Sequence, residues 1–323
     1  MSPQMVSHYR LIRKLGKGGM GEVYLAEDVK HGRRVALKML SERFTRDEKS
    51  LLRFKQEASA ILKLNHPNIL TVYELGEEET AFFIVTEYIK GHTLRDRLSE
   101  GEMKIDEALG ISIQVARALE AAHDEGIVHR DIKPENIMLR HDRVGRDRLV
   151  KVLDFGLAKL TEKGSTEHDP DAVTMPIHNT EPGTIMGTTG YMSPEQTRGL
   201  DVDERTDVFS FGIVLYEMIA GRPPFEGPTD SHIKVSILDQ EPPPLASPSQ
   251  MVPHQLERIV KKALQKDRTK RYQTVTDLKT DLENLRDELD KNSTDLSLTP
   301  ETGAGLARAI AARSSRTESH ASR

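Results

Sequence analysis

His129-Arg130-Asp131-Ile132-Lys133-Pro134-Glu135-Asn136 is the stretch on which the reading of this chain turns. It sets a carboxylate, a lysine and an amide close together at Asp131, Lys133 and Asn136, with a proline as backbone punctuation. Downstream, the apolar run Leu149-Val150-Lys151-Val152-Leu153 reads as a strand and ends in Asp154-Phe155-Gly156. A carboxylate in that position can be a turn residue. Its other reading depends on what the rest of the chain supplies.

Composition bounds the choices. The 323 residues suggest two domains or two lobes, at roughly 150 residues each. Lys and Arg number 46 against 51 Asp and Glu, a formal net charge of −5, which excludes a generally basic nucleic-acid coat and an extremely acidic tail protein. Hydrophobic residues at 37% and charged residues at 30% fit a soluble globular chain and not wholesale disorder. Cysteine is absent, so disulfide scaffolds, zinc ribbons, iron–sulfur clusters and thiol nucleophiles are excluded. The opening residues 1–8 hold no apolar core of signal-peptide length. The longest apolar stretch, Phe209 to Ala220, is broken by Ser210 and Glu217 and falls short of the about 20 residues that span a bilayer. A cytoplasmic protein is expected.

Periodicity divides the chain. Residues 9–40 read as strands with turns at Gly16–Gly21 and His31-Gly32, and residues 48–64 as a helix carrying Phe54, Ala58, Ile61 and Leu62 on one stripe. Short strands are expected near 69–75 and 81–87. After Gly91 a long helix carries Ile105, Leu109, Val115, Ala116 and Leu119, and Val208 to Ile219 is apolar nearly all round, the mark of a helix buried on every side. Val275, Leu278, Leu282, Leu285 and Leu289 make a last amphipathic helix, after which the chain turns Ser-, Thr-, Ala- and Arg-rich. The expected organisation is an N-terminal extension (1–8), a small β-rich lobe (9–89), a larger helical lobe (90–289) and a flexible tail (290–323), an α+β bilobal fold.

Gly16-Lys17-Gly18-Gly19-Met20-Gly21 fits G-x-G-x-x-G, a weak signal alone. A Walker A loop is excluded because Glu22-Val23 follow where Lys and Ser/Thr are required. A dinucleotide fold needs a helix straight after the glycines and an acid about 20 residues on, whereas Val23, Tyr24 and Leu25 continue as a strand and Lys38 stands near the acid position. The remaining reading is a glycine flap between antiparallel strands, followed by Val35-Ala36-Leu37-Lys38. Glycines there let the backbone approach phosphates and donate N–H bonds to them. Lys38 alone reads equally as a snorkelling surface lysine. Glu57 sits on the inward stripe of its helix, where a carboxylate is costly unless paired, and it can pair with Lys38; a solvated helix position is the alternative.

With these motifs in order from Leu11 to about Leu289, the chain resembles a protein kinase of the bacterial, eukaryotic-like serine/threonine type. The resemblance implies a bilobal kinase fold and transfer of the ATP γ-phosphate to protein Ser/Thr hydroxyls. Asp131 is then the group that accepts the hydroxyl proton, Lys133 a contact to the γ-phosphate, and Asn136 and Asp154 the ligands of Mg²⁺, for which Mn²⁺ can substitute. Lys38, held by Glu57, contacts the α- and β-phosphates, and Gly16, Lys17, Gly18, Gly19 and Gly21 form the flap. Val23 and Ala36 roof the adenine pocket, Met138 floors it, Glu87 and Ile89 offer backbone groups to the base, and Thr86 is a small gatekeeper; ordinary core packing is equally compatible with these apolar residues. Ser193-Pro194-Glu195 stands where the family usually has Ala-Pro-Glu, and Glu195 is expected to pair with Arg271. Asp207 either caps the buried helix or bonds the catalytic-loop backbone. Residues 154–195 enclose many hydroxyls, of which Thr180 and Thr184 are expected phosphosites docking on Arg130. Protein substrates, no nucleic acid, no membrane span in this chain, an N-lobe homodimer, and a cytoplasmic location either as a free protein or as the cytosolic part of a membrane receptor complete the expectation. A pseudokinase scaffold is the competing class, but Lys38, Asp131, Asn136 and Asp154 are all present.

Overall fold

The structure, a computed structural model, describes residues 4–18, 21–40, 61–78, 81–140, 149–155, 188–247 and 250–297. The chain divides into two compact units, Met1–Glu283 and Asn284–Arg323.

In the first unit, β1 (Met5–Val6), β2 (Tyr9–Gly18), β3 (Gly21–Asp28), β4 (Arg33–Leu40), β5 (Val72–Glu78) and β6 (Ala81–Glu87) form one antiparallel sheet in the order β1-β2-β3-β4-β6-β5. The two-residue period of β4 gives it two roles. Val35 and Leu37 are buried against Val6, Tyr9, Ala26, Phe83 and Val85. Ala36 and Lys38, one residue out of phase, are half-buried on the opposite face. A second sheet, β7 (Gly91–Thr93), β8 (Ile137–Arg140) and β9 (Leu149–Val152), is also antiparallel.

The strand expected at 69–75 begins at Val72, because the preceding residues are claimed by the second sheet. Ile69 bridges Val152 in parallel, Val152 N–H donates to Asn68 O at 2.8 Å, and Leu70 N–H donates to Val152 O at 2.9 Å. The Asn68 amide adds bonds to Val150 O at 2.9 Å and Gln114 Oε1 at 3.0 Å. Of the helix expected at 48–64, all but the last residues lie outside the described part.

The helices are α1 (Leu94–Ser99), α2 (Ile105–Asp124), α3 (Pro194–Thr197), α4 (Glu204–Ala220), α5 (Asp230–Asp239), α6 (His254–Ala263) and α7 (Val275–Ser297). Every residue of α4 from Thr206 to Ile219 is buried, as its uniform hydrophobicity predicts. Gly212 permits this: a Cβ there would lie 2.9 Å from Ala263 Cβ, so glycine lets α6 approach α4. The helix starts earlier than Val208, and its N-cap is Asp203, which accepts the Arg205 N–H. Asp207 therefore does not cap it. Val275, Leu278 and Leu282 of α7 are buried, in the expected register. In the second unit the described part is helical to Ser297, past the 289/290 boundary read from composition. Among the described residues, no helix is long and apolar enough to cross a membrane.

Glu195 and Arg271 meet as expected, at 2.7 and 2.8 Å in a two-pronged pair with both side chains buried. Thr206 Oγ1 donates to Glu195 Oε1 at 2.8 Å. The remaining guanidinium donors reach the carbonyls of Gln265, Arg205 and Lys266 at 2.6, 3.0 and 3.0 Å, so all of its N–H groups are used. Burial pushes the Glu195 carboxyl up, but Arg271 overrides this and holds it below the usual 4.5. A depressed carboxyl contributes stability that is present above its unfolded value and lost as pH falls through the folded one. Glu195→Gln strands the buried guanidinium charge and is expected to cost about 3–5 kcal/mol in urea unfolding at pH 7. The same variant should lose less stability than the wild type as pH drops below about 4.5, a difference read from unfolding midpoints across that range.

Candidate active site

A cavity of about 540 Å³ lies between the two sheets. Its walls include Gly16, Val23, Ala36, Lys38, Thr86, Glu87, Ile89 and Met138, with Leu153, Asp154 and Phe155 at the end of β9. The register explains the grouping: Lys38 pairs across to Val23 on one side and Ile84 on the other, and Ala36 to Leu25 and Thr86. Side chains of one pleat face thus converge from three neighbouring strands.

Lys38 Nζ donates to Asp154 Oδ2 at 2.9 Å, joining residues far apart in sequence. Burial raises the Asp154 carboxyl, but the Lys38 charge and hydrogen bond outweigh it and hold the group below its usual value, so it stays ionised at neutral pH. Asp154 adopts φ +54, an uncommon conformation for a non-glycine residue. Phe155 beside it is buried, edge-on to the His129 ring with centroids 4.6 Å apart.

The loop before β8 brings a second group together. The Asp131 carboxylate accepts from Lys133 Nζ at 2.8 Å and from Asn136 Nδ2 at 3.0 Å. Asn136 Nδ2 also donates to Asp131 O at 2.8 Å. His129 is fixed as the Nε2–H tautomer, since Nε2 donates to Leu153 O at 2.7 Å while Nδ1 accepts the Asp131 N–H at 3.2 Å. It is a positioning residue that ties the loop to the strand carrying Asp154. Asp207 takes up the loop backbone, accepting the N–H of His129 at 2.8 Å and of Arg130 at 2.7 Å.

Among the described residues of the glycine flap, Gly16 alone lines the cavity; Lys17, Gly18 and Gly21 belong to the β2–β3 ladder, and Lys17 approaches Glu22 at 3.7 Å. Gly21 is the position where glycine is required. Its φ is +145, and a Cβ would stand 1.8 Å from Met39 O. Gly19, Glu57, Thr180 and Thr184 lie outside the described residues.

The sequence reading missed Lys151. Its Nζ donates to Ile69 O at 2.9 Å and to Glu87 Oε1 at 2.6 Å, and Thr71 N–H adds a bond to Glu87 Oε1 at 2.8 Å. Burial pushes the Glu87 carboxyl up, and these donors bring it below its usual value. The side chain of Glu87 is thereby held against the larger lobe at the cavity wall. A lysine inside the apolar run of β9 was the signal: a buried cation demands an acid.

Residues 9–281 match the protein kinase domain family. The chain is 37% identical over 280 residues to serine/threonine-protein kinase PrkC of Bacillus subtilis, covering 86% of this chain and 40% of that protein. It is 39% identical over 285 residues to serine/threonine-protein kinase PknB of Mycobacterium leprae, covering 87% and 43%. The chain thus spans about two fifths of the length of these curated relatives. A solved variant of the Mycobacterium tuberculosis PknI kinase domain superposes with a TM-score of 0.64 at 25% identity, covering 88% of this chain and 98% of that one.

Gly21→Ala forces both a disfavoured φ and a clash with Met39 O. It is expected to cost about 1–3 kcal/mol of stability and to weaken binding of a fluorescent ATP analogue in equilibrium titration.

Proposed function

The chain belongs to the protein kinase family, and on that footing we propose that it is an active serine/threonine kinase that transfers the γ-phosphoryl group of ATP to protein hydroxyls. The observation that carries the reading is the convergence of Lys38 and Asp154 in the cavity with the Asp131–Lys133–Asn136 group on the adjoining loop. In the proposed step, Asp131 orients the Ser or Thr hydroxyl and accepts its proton. The hydroxyl oxygen bonds to the γ-phosphorus as the bond to the bridging oxygen breaks, and ADP departs. Lys38 contacts the α- and β-phosphates, and Lys133 stabilises the charge on the transferred group. Little covalent chemistry falls to the chain; its work is positioning. The Asp131 side chain is 20% exposed, so an incoming hydroxyl can reach it.

The donor set also fits Mg²⁺. Asp154 supplies an ionised carboxylate, and Asn136 commits its amide N–H groups to Asp131, so that its carbonyl oxygen is the atom it can offer a hard cation. A cation held by Asp154 and Asn136 would supply positive charge to offset that of the nucleotide phosphates. Because ATP is the phosphoryl donor, the reaction belongs to the cytoplasmic side of the cell.

Serine/threonine selectivity rests on Lys133 and on the named activities of PrkC and PknB. Autophosphorylation at Thr180 and Thr184 is part of the proposal. Arg130 supports it, since its Nε is buried without a hydrogen-bond partner among the described residues and suits a phosphate.

The test is phosphate transfer from Mg-ATP to a generic basic protein. Lys38→Met and Asp131→Asn should each lower the rate by about 10²–10⁴-fold. Equal labelling by the wild type and both variants would end the catalytic reading. Mass spectrometry of the 157–187 peptide after incubation should show phosphate on Thr180 or Thr184, and an unmodified peptide from an active preparation removes the autophosphorylation claim.

A further inference from the structure

The end of the first sheet farthest from the glycine flap carries a group of side chains that the proposed reaction leaves unused. In the β2–β3 hairpin Gly18 pairs with Gly21 at one end and Tyr9 with Asp28 at the other, roughly 30 Å away along the strands. Two turns meet at that far end. Ser7 (φ +51) and His8 lead from β1 into β2, and residues 29–32, closing on Gly32 (φ +63), lead from β3 into β4. Val29 N–H donates to His8 O at 3.2 Å and joins them. The register thereby assembles His8, Asp28 and His31, with one donor atom of each within 4.8 Å of the others.

Each member is held in its own way. Asp28 is fully buried, and its Oδ1 accepts the N–H groups of Lys30 at 3.2 Å and His31 at 3.1 Å, which fix the carboxylate in the turn. Its Oδ2 faces His31 Nδ1 at 2.8 Å and accepts the Arg33 Nε–H at 3.3 Å. His8 Nε2 stands 3.7 Å from Asp28 Oδ1, and Ser7 Oγ lies 3.2 Å from His8 Nδ1. A gap of 3.7 Å is too wide for a hydrogen bond. It suits two atoms bound to one ion, which at bonds of about 2.0–2.1 Å stand about 3.3 Å apart in a tetrahedral site. Ser7 engages the other ring nitrogen of His8, as an outer partner does when it orients an imidazole ligand. His31 is 62% exposed, so its ring has room to complete the approach. The Arg33 charge opposes a bound cation, but its guanidinium is also seated on the Tyr73 ring at 3.7 Å, a contact that keeps it when Oδ2 turns to a metal.

We propose that His8, Asp28 and His31 form a transition-metal site for which Zn²⁺ is the fitting ion. Two imidazoles and one carboxylate take Zn²⁺, Co²⁺ or Ni²⁺, whereas Mg²⁺ and Ca²⁺ call for all-oxygen ligand sets. Three protein ligands leave a position for water. None of the three residues lines the nucleotide cavity, so the ion staples two turns of the small sheet and takes no part in phosphoryl transfer. The proposal does not depend on the kinase reading.

The experiment titrates the full chain, stripped with a chelator and kept in excess Mg²⁺, with Co²⁺ as a spectroscopic probe and with Zn²⁺ in thermal unfolding. The wild type should develop the visible d–d band of four- or five-coordinate Co²⁺, and Zn²⁺ should bleach it. His31→Ala, at an exposed position that leaves the fold intact, and His8→Ala should each weaken Co²⁺ binding by about 10–100-fold or more, the loss that follows removal of even an outer partner. Asp28→Asn, which keeps an acceptor for the turn but removes the charge, should do the same. Arg33→Gln retains all three ligands without the opposing cation and should bind at least as tightly as the wild type. Zn²⁺ at about 100 times its Kd should raise the melting temperature of the wild type by about 3 °C or more and leave that of His31→Ala unmoved. Unchanged Co²⁺ affinity in His31→Ala and His8→Ala overturns the proposal, as does a wild type that shows no band. If the band is lost in Asp154→Asn and kept in His31→Ala, the ion sits in the cavity and the proposal also fails.

Discussion

Asp207 carries the rest of the catalytic face. It is fully buried in the first turn of α4 and gathers three donors, the N–H groups of His129 and Arg130 and the ring Nε2–H of His123 at 2.8 Å. A carboxylate in that environment is tolerable only because its oxygens are so engaged. In return it holds a loop that would not keep its shape unaided: Arg130 sits at φ +68, a conformation that costs about 1–3 kcal/mol when forced on a side-chain-bearing residue. That kink sends the chain from the core helix out to Asp131, and Gln196 holds the Arg130 carbonyl from the other side. The rigid reference for the reacting groups is thus α4, the helix with no solvent face.

From Asp207 the order passes through His129. Its ring ties the loop to Leu153 and packs against Phe155, so the position of Asp154 is set by the same structure that sets Asp131. Lys38 then joins this assembly to the upper sheet through its ion pair with Asp154. The two carboxylates to which the proposed reaction gives different tasks are therefore referred to one anchor, as preorganisation requires.

Much of this was legible in the sequence because its parts are local. The Asp131, Lys133 and Asn136 contacts close within a few residues, and the pleat of β4 puts Lys38 and Ala36 on one face by simple alternation. The buried character of α4 followed from its uniform composition. The rest was hidden for one physical reason: it consists of side-chain pairs across long separations. Lys151 finds Glu87 across 64 residues, and Arg95 finds Glu217 across 122. Nothing in the periodicity around Arg95 distinguishes it from a solvated arginine. Glu195 with Arg271 is the exception, reached only through resemblance. The late start of β5 shows a related limit, since competition between two sheets for residues 68–70 leaves no trace in local propensity.

That competition has a mechanical result. Residues 68–70 precede a strand of the small lobe, yet they are bonded to β9, α2 and Lys151 of the large one. Translating one lobe past the other breaks this whole strap at once, at about 0.5–1.5 kcal/mol for each bond, whereas rotation about it breaks few. The strap is an axle. Rotation about it moves Glu87, bonded to Lys151 and Thr71 at the strap itself, less than the parts of the cavity wall that lie farther away.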